Sequence, residues 1–560
     1  MRCSQLLAIG LAMAGVISLW VLSVRSPAQT AGAATSSQPR APSLGCTPTG
    51  NPDPFLPDPF KFRLAGPDFP AGLLPIDEKV KDTILNSGLP CQENVRPNIG
   101  EEKAGLENLQ RGFDFYSWRT FIALNSPADA KTTIDHSQAD TPARWEDMDN
   151  FKQLLDVMLP ANLQPPKWPT DKDGMEAEKV RLLPPACRAQ YKPGTMVVKM
   201  IEESYNEPFK TGPLIDQQGH YAIFDILMNR QMFDYIRDHH LYSKEGQQDP
   251  TNFGLAVDFP VGQNPKEGKP AQDGKPEQKA VVADTGAFML KVSWKILGPD
   301  DIKARNFHMV NALVSMPKSE DPNAPPPPCL RETLGLIGFH AVHKTASRPQ
   351  WIWTSFEHKN NVPDRTEVTN RDFHGPYNFF DVNCGDKCAE ENATPPRQFW
   401  QPDPALQLKF KDATFKSQIV REVPLTDAAK NMNSIFHSML KGTVWDNYML
   451  ISTQWPSVFG CTALHSQAAA VPSPDTDFLK QPDMNCSPAP TYLANSTLET
   501  YSQGKIPLAS SSCIGCHGNA VSFQPGASNP QPGEVRLNQS DFTFMLEKAP
   551  GKPEKKAETK

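Results

Sequence analysis

For its length the chain carries little apolar material. Only 39% of its 560 residues are hydrophobic, against 56 prolines and 34 glycines. That balance predicts many irregular loops around modest cores, rather than one large core or disorder throughout. Beyond the first 24 residues no apolar run is long enough to span a bilayer, so no membrane helix is expected after the N-terminus. Basic excess is also missing. A formal net charge of −7 leaves no footprint for nucleic acid or an anionic membrane, and weakly favours a basic or neutral protein partner. No second C-x-x-C and no H-x-H completes a zinc ligand set, and no βαβ alternation suggests a thioredoxin-like redox pair.

What is present begins with an export signal. One charge, Arg2, precedes an apolar run from Leu6 to Val24, followed by Ser26-Pro27-Ala28 and Ala31-Gly32-Ala33-Ala34. This reads as a signal peptide over 1–34, with cleavage after Ala28 or Ala33 and an uncleaved anchor as the alternative. The mature chain is therefore expected in the periplasm or otherwise exported. Of the 11 cysteines, Cys3 leaves with the signal. Cys46, Cys91, Cys187, Cys329, Cys384, Cys388, Cys461 and Cys486 form an even set that predicts up to four disulfides, with Cys384 and Cys388 close enough for a local clip.

The remaining two cysteines stand in Ser512-Cys513-Ile514-Gly515-Cys516-His517, a C-x-x-C-H motif. With 11 Cys and 12 His in the chain, chance would produce it roughly once in two hundred such sequences. Two thiols at this spacing reach both vinyl groups of one porphyrin, and the following histidine falls beneath the iron. The expected cofactor is one covalently attached haem c, with Cys513 and Cys516 as thioether anchors and His517 as proximal ligand.

Roughly 525 mature residues suggest two or three domains. Residues 35–104 form a Pro-rich N-terminal segment, densest from Pro39 to Pro59. It is expected to be extended and poorly ordered, or laid over another domain and pinned by Cys46. A helix is predicted from Gly105 to Leu124, with Phe113, Trp118, Phe121 and Ile122 on its apolar stripe and Asn125-Ser-Pro127 as its stop. Strands are predicted over 196–201, 221–227, 290–296, 308–316, 334–343 and 351–358, the last two as a hairpin with a long turn over 344–350. Gly262–Lys279 and Asn323–Cys329 read as insertions. Residues 105–424 thus form a central, mainly antiparallel β domain. From 425 to 549 helical spacing takes over, with helices at 428–440 and 490–502 leading to the motif. Residues 550–560 read as a disordered tail. The fold class is α+β.

Only 43 residues follow His517, too few to enclose a haem, so the earlier helices and the sheet must supply most of the pocket. Several stretches point to a family. They are Phe115-Tyr-Ser-Trp-Arg-Thr-Phe-Ile-Ala-Leu-Asn125, Gly338-Phe-His-Ala-Val-His-Lys344, Trp351 to Pro363, Leu493-Ala-Asn-Ser-Thr-Leu-Glu499, Ser512 to His517 and Asp541-Phe-Thr-Phe544. Across most of its mature length the chain resembles a group of bacterial exported proteins, themselves uncharacterised, known only as cytochrome c family proteins. The resemblance implies haem c binding and no more.

For the sixth iron position the nearest candidate is Met545, 28 residues after His517 in an apolar context, with core packing as the competing reading. Met484, His437 and His465 are weaker. His340, His343, Glu357 and His358 fall at the ends of the predicted hairpin. His340 shares a face with Leu336 and Val342 while His343 faces away, so at most two of the four can meet. The leading expectation is an exported monohaem cytochrome that passes single electrons to a redox partner. The alternatives are a haem-dependent peroxidase or oxygenase, against which no distal His/Arg pair stands out, and a partner-binding module that carries a haem. The sequence leaves open whether the protein is an enzyme.

Overall fold

The computed structural model describes, isolated positions aside, residues 45–48, 78–95, 102–129, 133–168, 180–249, 257–270, 279–316, 328–396, 417–456, 488–503, 511–522 and 540–551. The expected signal segment, most of the Pro-rich segment, Cys461, Cys486, His465, Met484 and the tail beyond Gly551 lie outside the described residues.

Four helices matter for the site: α1 (Glu102–Asn125), α2 (Arg230–Asp238), α3 (Asp427–Leu440) and α4 (Cys513–His517). They surround one nine-stranded sheet. Its strands are β1 (Phe151–Gln153), β2 (Met196–Lys199), β3 (Ile223–Asn229), β4 (Phe288–Ile296), β5 (Met309–Ser315), β6 (Cys329–Thr345), β7 (Arg348–His358), β8 (Tyr448–Pro456) and β9 (Pro488–Ala489). The order is β9-β8-β7-β6-β4-β3-β1, with β5 beside the first half of β6 and β2 on β5. Every pairing is antiparallel except β2 with β5. The expected α+β class with a mainly antiparallel sheet is present. Among the described residues no helix is long and apolar enough to cross a membrane.

The two long helices cover one face of the sheet. Every residue of α1 from Phe113 to Asn125 is buried, and Arg111 and Gly112 just before them are half-buried. Phe121 stacks on Phe356 of β7 at 4.1 Å and meets Phe339 of β6 at 5.6 Å, and Trp118 stacks on Phe436 of α3 at 4.8 Å. Several polar positions on this face are matched: Ser117 bonds Thr354 and Thr453, and Trp118 Nε1 donates to Asn433. Asn125 and Ser126 side chains donate back to the Phe121 and Ile122 carbonyls, which satisfies the last helical acceptors where Pro127 ends the run. Thr426 caps α3 through Ala429 N–H.

Four expectations change. The sheet does not stop near residue 424, because β8 enters it beside β7. Residues 490–502 form turns rather than a helix: Asn495 Oδ1 accepts from Thr497 N–H and Oγ1–H, and Ser496 N–H and Oγ–H go to Glu357. Asn, Ser and Thr side chains here take the hydrogen bonds a helix would need. These turns press on the sheet closely enough that a Cβ at Gly338 would collide with Thr497 and Ser293. The hairpin turn is shorter than expected, since Thr345 already pairs with Arg348. Its polar residues are buried strand positions with partners, such as Thr345 Oγ1 on Glu93. Finally, a register shift in β6 opposite Ser293/Trp294 pairs Leu336 with Trp294. Trp294 and Phe339 both meet Trp145, so Leu336 lies on the helix-covered face, away from His340.

Among the described residues three disulfides are formed: Cys46–Cys91, Cys187–Cys329 and the local Cys384–Cys388. Neither Cys513 nor Cys516 takes part in a disulfide among the described residues.

Trp118 is wholly buried between Phe121, Phe356 and Phe436. Trp118→Ala is expected to lower stability by roughly 3–5 kcal/mol, the usual cost of emptying an aromatic core site. Guanidinium unfolding checks it, with a midpoint near wild type counting against the helix–sheet contact as the main core.

Candidate functional site

The other face of the sheet forms the floor of a cavity of about 490 Å³, within the roughly 300–1,000 Å³ usual for small-molecule and cofactor sites. Strand pleating decides which residues reach it. Paired positions share a face, so Ile226 and Lys291, Lys291 and His340, Val342 and Met289, and Val342 and Trp353 come together on one side. The walls come from 202–210, 493–499, the motif and 543–548. Neither α1 nor α3 contributes a lining residue, contrary to the expectation that the earlier helices build the pocket.

Helix α4 is one short turn, capped by Ser512 Oγ accepting from Gly515 N–H at 3.1 Å. It is seated by Gln454 of β8, which faces the cavity side because it pairs with Trp353. Gln454 Oε1 accepts from Ile514 N–H at 2.8 Å and Ser512 Oγ–H at 3.2 Å, while its Nε2 donates to the Pro490 carbonyl at 2.8 Å. This wholly buried amide therefore holds the motif and the 490–499 turns to one strand.

Both cysteines and His517 line the cavity. His517 Nδ1 lies 2.8 Å from the Phe542 carbonyl oxygen. A carbonyl only accepts, so Nδ1 carries the proton and Nε2 keeps its lone pair. Trp353 and Phe544 pack on the ring at 4.4 and 5.0 Å. Burial pushes His517 down to about 4, which keeps the imidazole neutral at physiological pH. Burial also pushes the Cys513 thiol well above its ordinary value and Cys516 up to about 12. The carbonyl that orients His517 belongs to a tight turn. Thr543 N–H bonds Ser540 O at 3.1 Å, and Asp541 and Phe542 have φ of 51° and 63°. Left-handed backbone at two consecutive non-glycine residues costs of order 1–3 kcal/mol at each.

The donor set suits a c-type haem: two thiols outside any disulfide, a neutral histidine whose Nδ1 proton is held by a carbonyl, and apolar walls from Ile226, Met289, Val342, Trp353, Leu493 and Phe544. No protein-family model, curated protein or solved structure matches the chain.

Of the other candidates, Met545 lines the same cavity, buried in a short 3-10 turn over Phe544–Lys548. His437 does not. It lies on the helix-covered face, its Nε2–H bonding the Tyr448 carbonyl at 2.7 Å and its ring set edgewise against Trp118. The four hairpin residues separate as pleating requires. His343 faces α1, with Nε2–H on the Thr285 carbonyl at 2.6 Å and Nδ1 accepting from Tyr116 at 2.5 Å. His358 donates Nε2–H to the Asn306 carbonyl and accepts from Asn360 N–H. Burial holds these two rings near 4 and 3, so both are neutral structural groups. Glu357 is bound by both Arg421 nitrogens at 3.1 and 3.0 Å. His340 alone reaches the cavity.

Sequence reasoning missed the polar wall that surrounds His340. Its Nε2 lies 3.0 Å from Glu499, which comes from the turns at 493–499. Burial alone would raise the Glu499 carboxyl, but the attraction and hydrogen bond of His340, the Lys291 charge and the Asn495 N–H together hold it down to about 2. Lys291 sits beside His340 across the strand pair, over the Phe224 ring at 5.2 Å. Glu207 also lines the cavity. Burial pushes it up to about 8 even though Thr500 donates to both of its oxygens. A clue was present in the sequence: Lys291 alternates with apolar neighbours on a strand, and a lysine on an enclosed sheet face is costly unless that position faces a cavity.

Gln454→Ala would leave Ile514 N–H and the Pro490 carbonyl without this amide, at about 1–3 kcal/mol for each buried group left unsatisfied. The expected result is lower stability together with faster hydrogen exchange at Ile514 N–H. An Ile514 amide as protected as in wild type would refute the seating role.

Proposed function

We propose that this chain is a monohaem c-type cytochrome, with Cys513 and Cys516 as thioether anchors and His517 as proximal ligand. One observation carries the reading: the Phe542 carbonyl takes the His517 Nδ1 proton, so Nε2 stays free in a cavity that both thiols also line. Iron-ligating histidines usually need this arrangement, since the outer hydrogen bond sets the tautomer and raises ligand basicity. A haem held here would supply a one-electron Fe(III)/Fe(II) couple. Around it the chain's own residues have separate tasks. Gln454 sets the height of the motif over the sheet, Trp353 and Phe544 fix the imidazole plane, and the apolar floor limits water. Met545 is the proposed sixth ligand. Its thioether would raise the potential and favour electron transfer to an exported redox partner. The resemblance to exported cytochrome c family proteins and the disulfides, which form in oxidising compartments, support a periplasmic or other exported location.

A second reading, a haem-dependent oxidoreductase, is favoured by the His340–Glu499 pair with Lys291 and Glu207 in the cavity wall. An electron carrier has no evident need for them.

In haem-stained denaturing gels of protein matured with a haem-attachment system, wild type should give a band and Cys513→Ala/Cys516→Ala none. A band that survives in the double variant removes the covalent reading. Carbon monoxide separates the two roles. A wild-type ferrous spectrum unchanged by the gas, becoming sensitive in Met545→Ala, supports the carrier. Immediate uptake by wild type favours the oxidoreductase, and a wild type and Met545→Ala that are both insensitive assign the sixth position elsewhere, His340 being the next to replace.

A further inference from the structure

Asp541 and Phe542 form the central pair of the turn whose carbonyl orients His517, and both have positive φ. Such turns are dominated by Gly, Asn and Asp. Asp541 fits that preference, but a bulky phenylalanine at the second central position is an outlier that persists only where its surroundings over-determine it. Here they do. Asp541 Oδ2 accepts from Lys344 Nζ at 2.6 Å and from Phe259 N–H at 2.8 Å, and its carbonyl accepts from Trp351 Nε1–H at 3.1 Å. Ser540 Oγ–H closes the turn on the Thr543 carbonyl at 2.6 Å. The Phe542 ring is buried in the same apolar cluster as Trp351, Trp353 and Ile514. The Lys344 and Asp541 side chains have no solvent exposure, and Lys344 Nζ also bonds Asp258.

We infer that Lys344 and Asp541 are positioning residues for His517, a buried ion pair that holds the strained 541–542 turn so that the Phe542 carbonyl stays on the Nδ1 proton. The geometry is a direct chain. Lys344, near the end of β6, fixes Asp541; Asp541 fixes the peptide that follows it; the carbonyl of Phe542 fixes the imidazole. A buried pair of this kind contributes little net stability over an apolar substitute. Its place at the turn whose carbonyl bonds the motif histidine is what a stability role alone leaves unexplained. The inference rests on the haem reading for the purpose of His517, while the clamp itself is a property of the chain.

The decisive variant is Lys344→Met in the full, haem-loaded protein. With the carbonyl released, the imidazole becomes a less basic ligand, so the oxidised iron is less favoured and the reduction potential should rise. Exchange of the His517 Nδ1 proton, read by nitrogen-resolved imidazole resonances in the ferrous protein, should quicken at least tenfold. Lys344→Arg, which keeps a cation within reach of Asp541, should return both readouts toward wild type. Asp541→Asn serves if the methionine variant does not fold. Asparagine tolerates the left-handed backbone and retains the bonds from Phe259 and Trp351, yet removes the charge that Lys344 holds. A folded Lys344→Met or Asp541→Asn protein with wild-type potential and wild-type Nδ1 exchange overturns the clamp. Wild type without covalent haem is a different failure: it removes the cytochrome reading, and the clamp is then decided by the same Nδ1 exchange in the haem-free chain.

Discussion

The Gln454 amide is buried on every side and accepts from the first turn of the motif helix while donating to the segment that carries Glu499. The rest of the site depends on that connection. Strand β8 cannot move without moving β7, and β7 carries Trp353 against the His517 ring. Motif, floor and wall are therefore parts of one rigid sheet face, although they are far apart in the chain. A site assembled on paired strands inherits their precision, because backbone ladders leave little freedom for the side chains between them.

Burial on both faces is the condition that makes this work. Strands β6 and β7 are covered by α1 and α3 on one side and by the motif and turns on the other. Polar groups enclosed this way need partners, and those that join the turns to the sheet have them. Glu357 takes two bonds from Arg421 and two from Ser496, and Asn495 reaches Ser355 and the Phe356 carbonyl. A buried ion pair of this kind is weak evidence for stability, since desolvation offsets much of its attraction. Its evident effect is placement: it holds the 495–497 turns on the sheet so that Glu499 reaches His340.

Strands β2 to β7 were legible because their apolar runs are bounded by turn residues, and α1 and α3 because their apolar stripes are well spaced, whereas β1, β8 and β9 were not expected. Element ends were less so. Lys344, Thr345 and Gln350 look like turn residues, yet each is buried in a strand with its polar atoms engaged inside the protein. Leu336 changed face through one register shift that no local pattern marks. The Asn495-Ser-Thr497 stretch suited a helix by spacing, but its side chains bond the backbone and Glu357 instead.

By itself the sequence determined which groups stand together at one point: two thiols and a histidine in C-x-x-C-H spacing need no fold to be recognised, because the spacing alone sets what they can reach. It also determined that His340 and His343 face opposite ways, since strand pleating requires it. What only the tertiary structure decided is everything set by contacts across long stretches of chain. That includes the tautomer of His517 through Phe542, the seat of the motif on Gln454, and the meeting of His340 with Glu499 and Lys291. The reason is physical. A residue's covalent neighbours fix its local geometry, but which carbonyl, amide or charge stands 3 Å from its side chain depends on how distant segments pack.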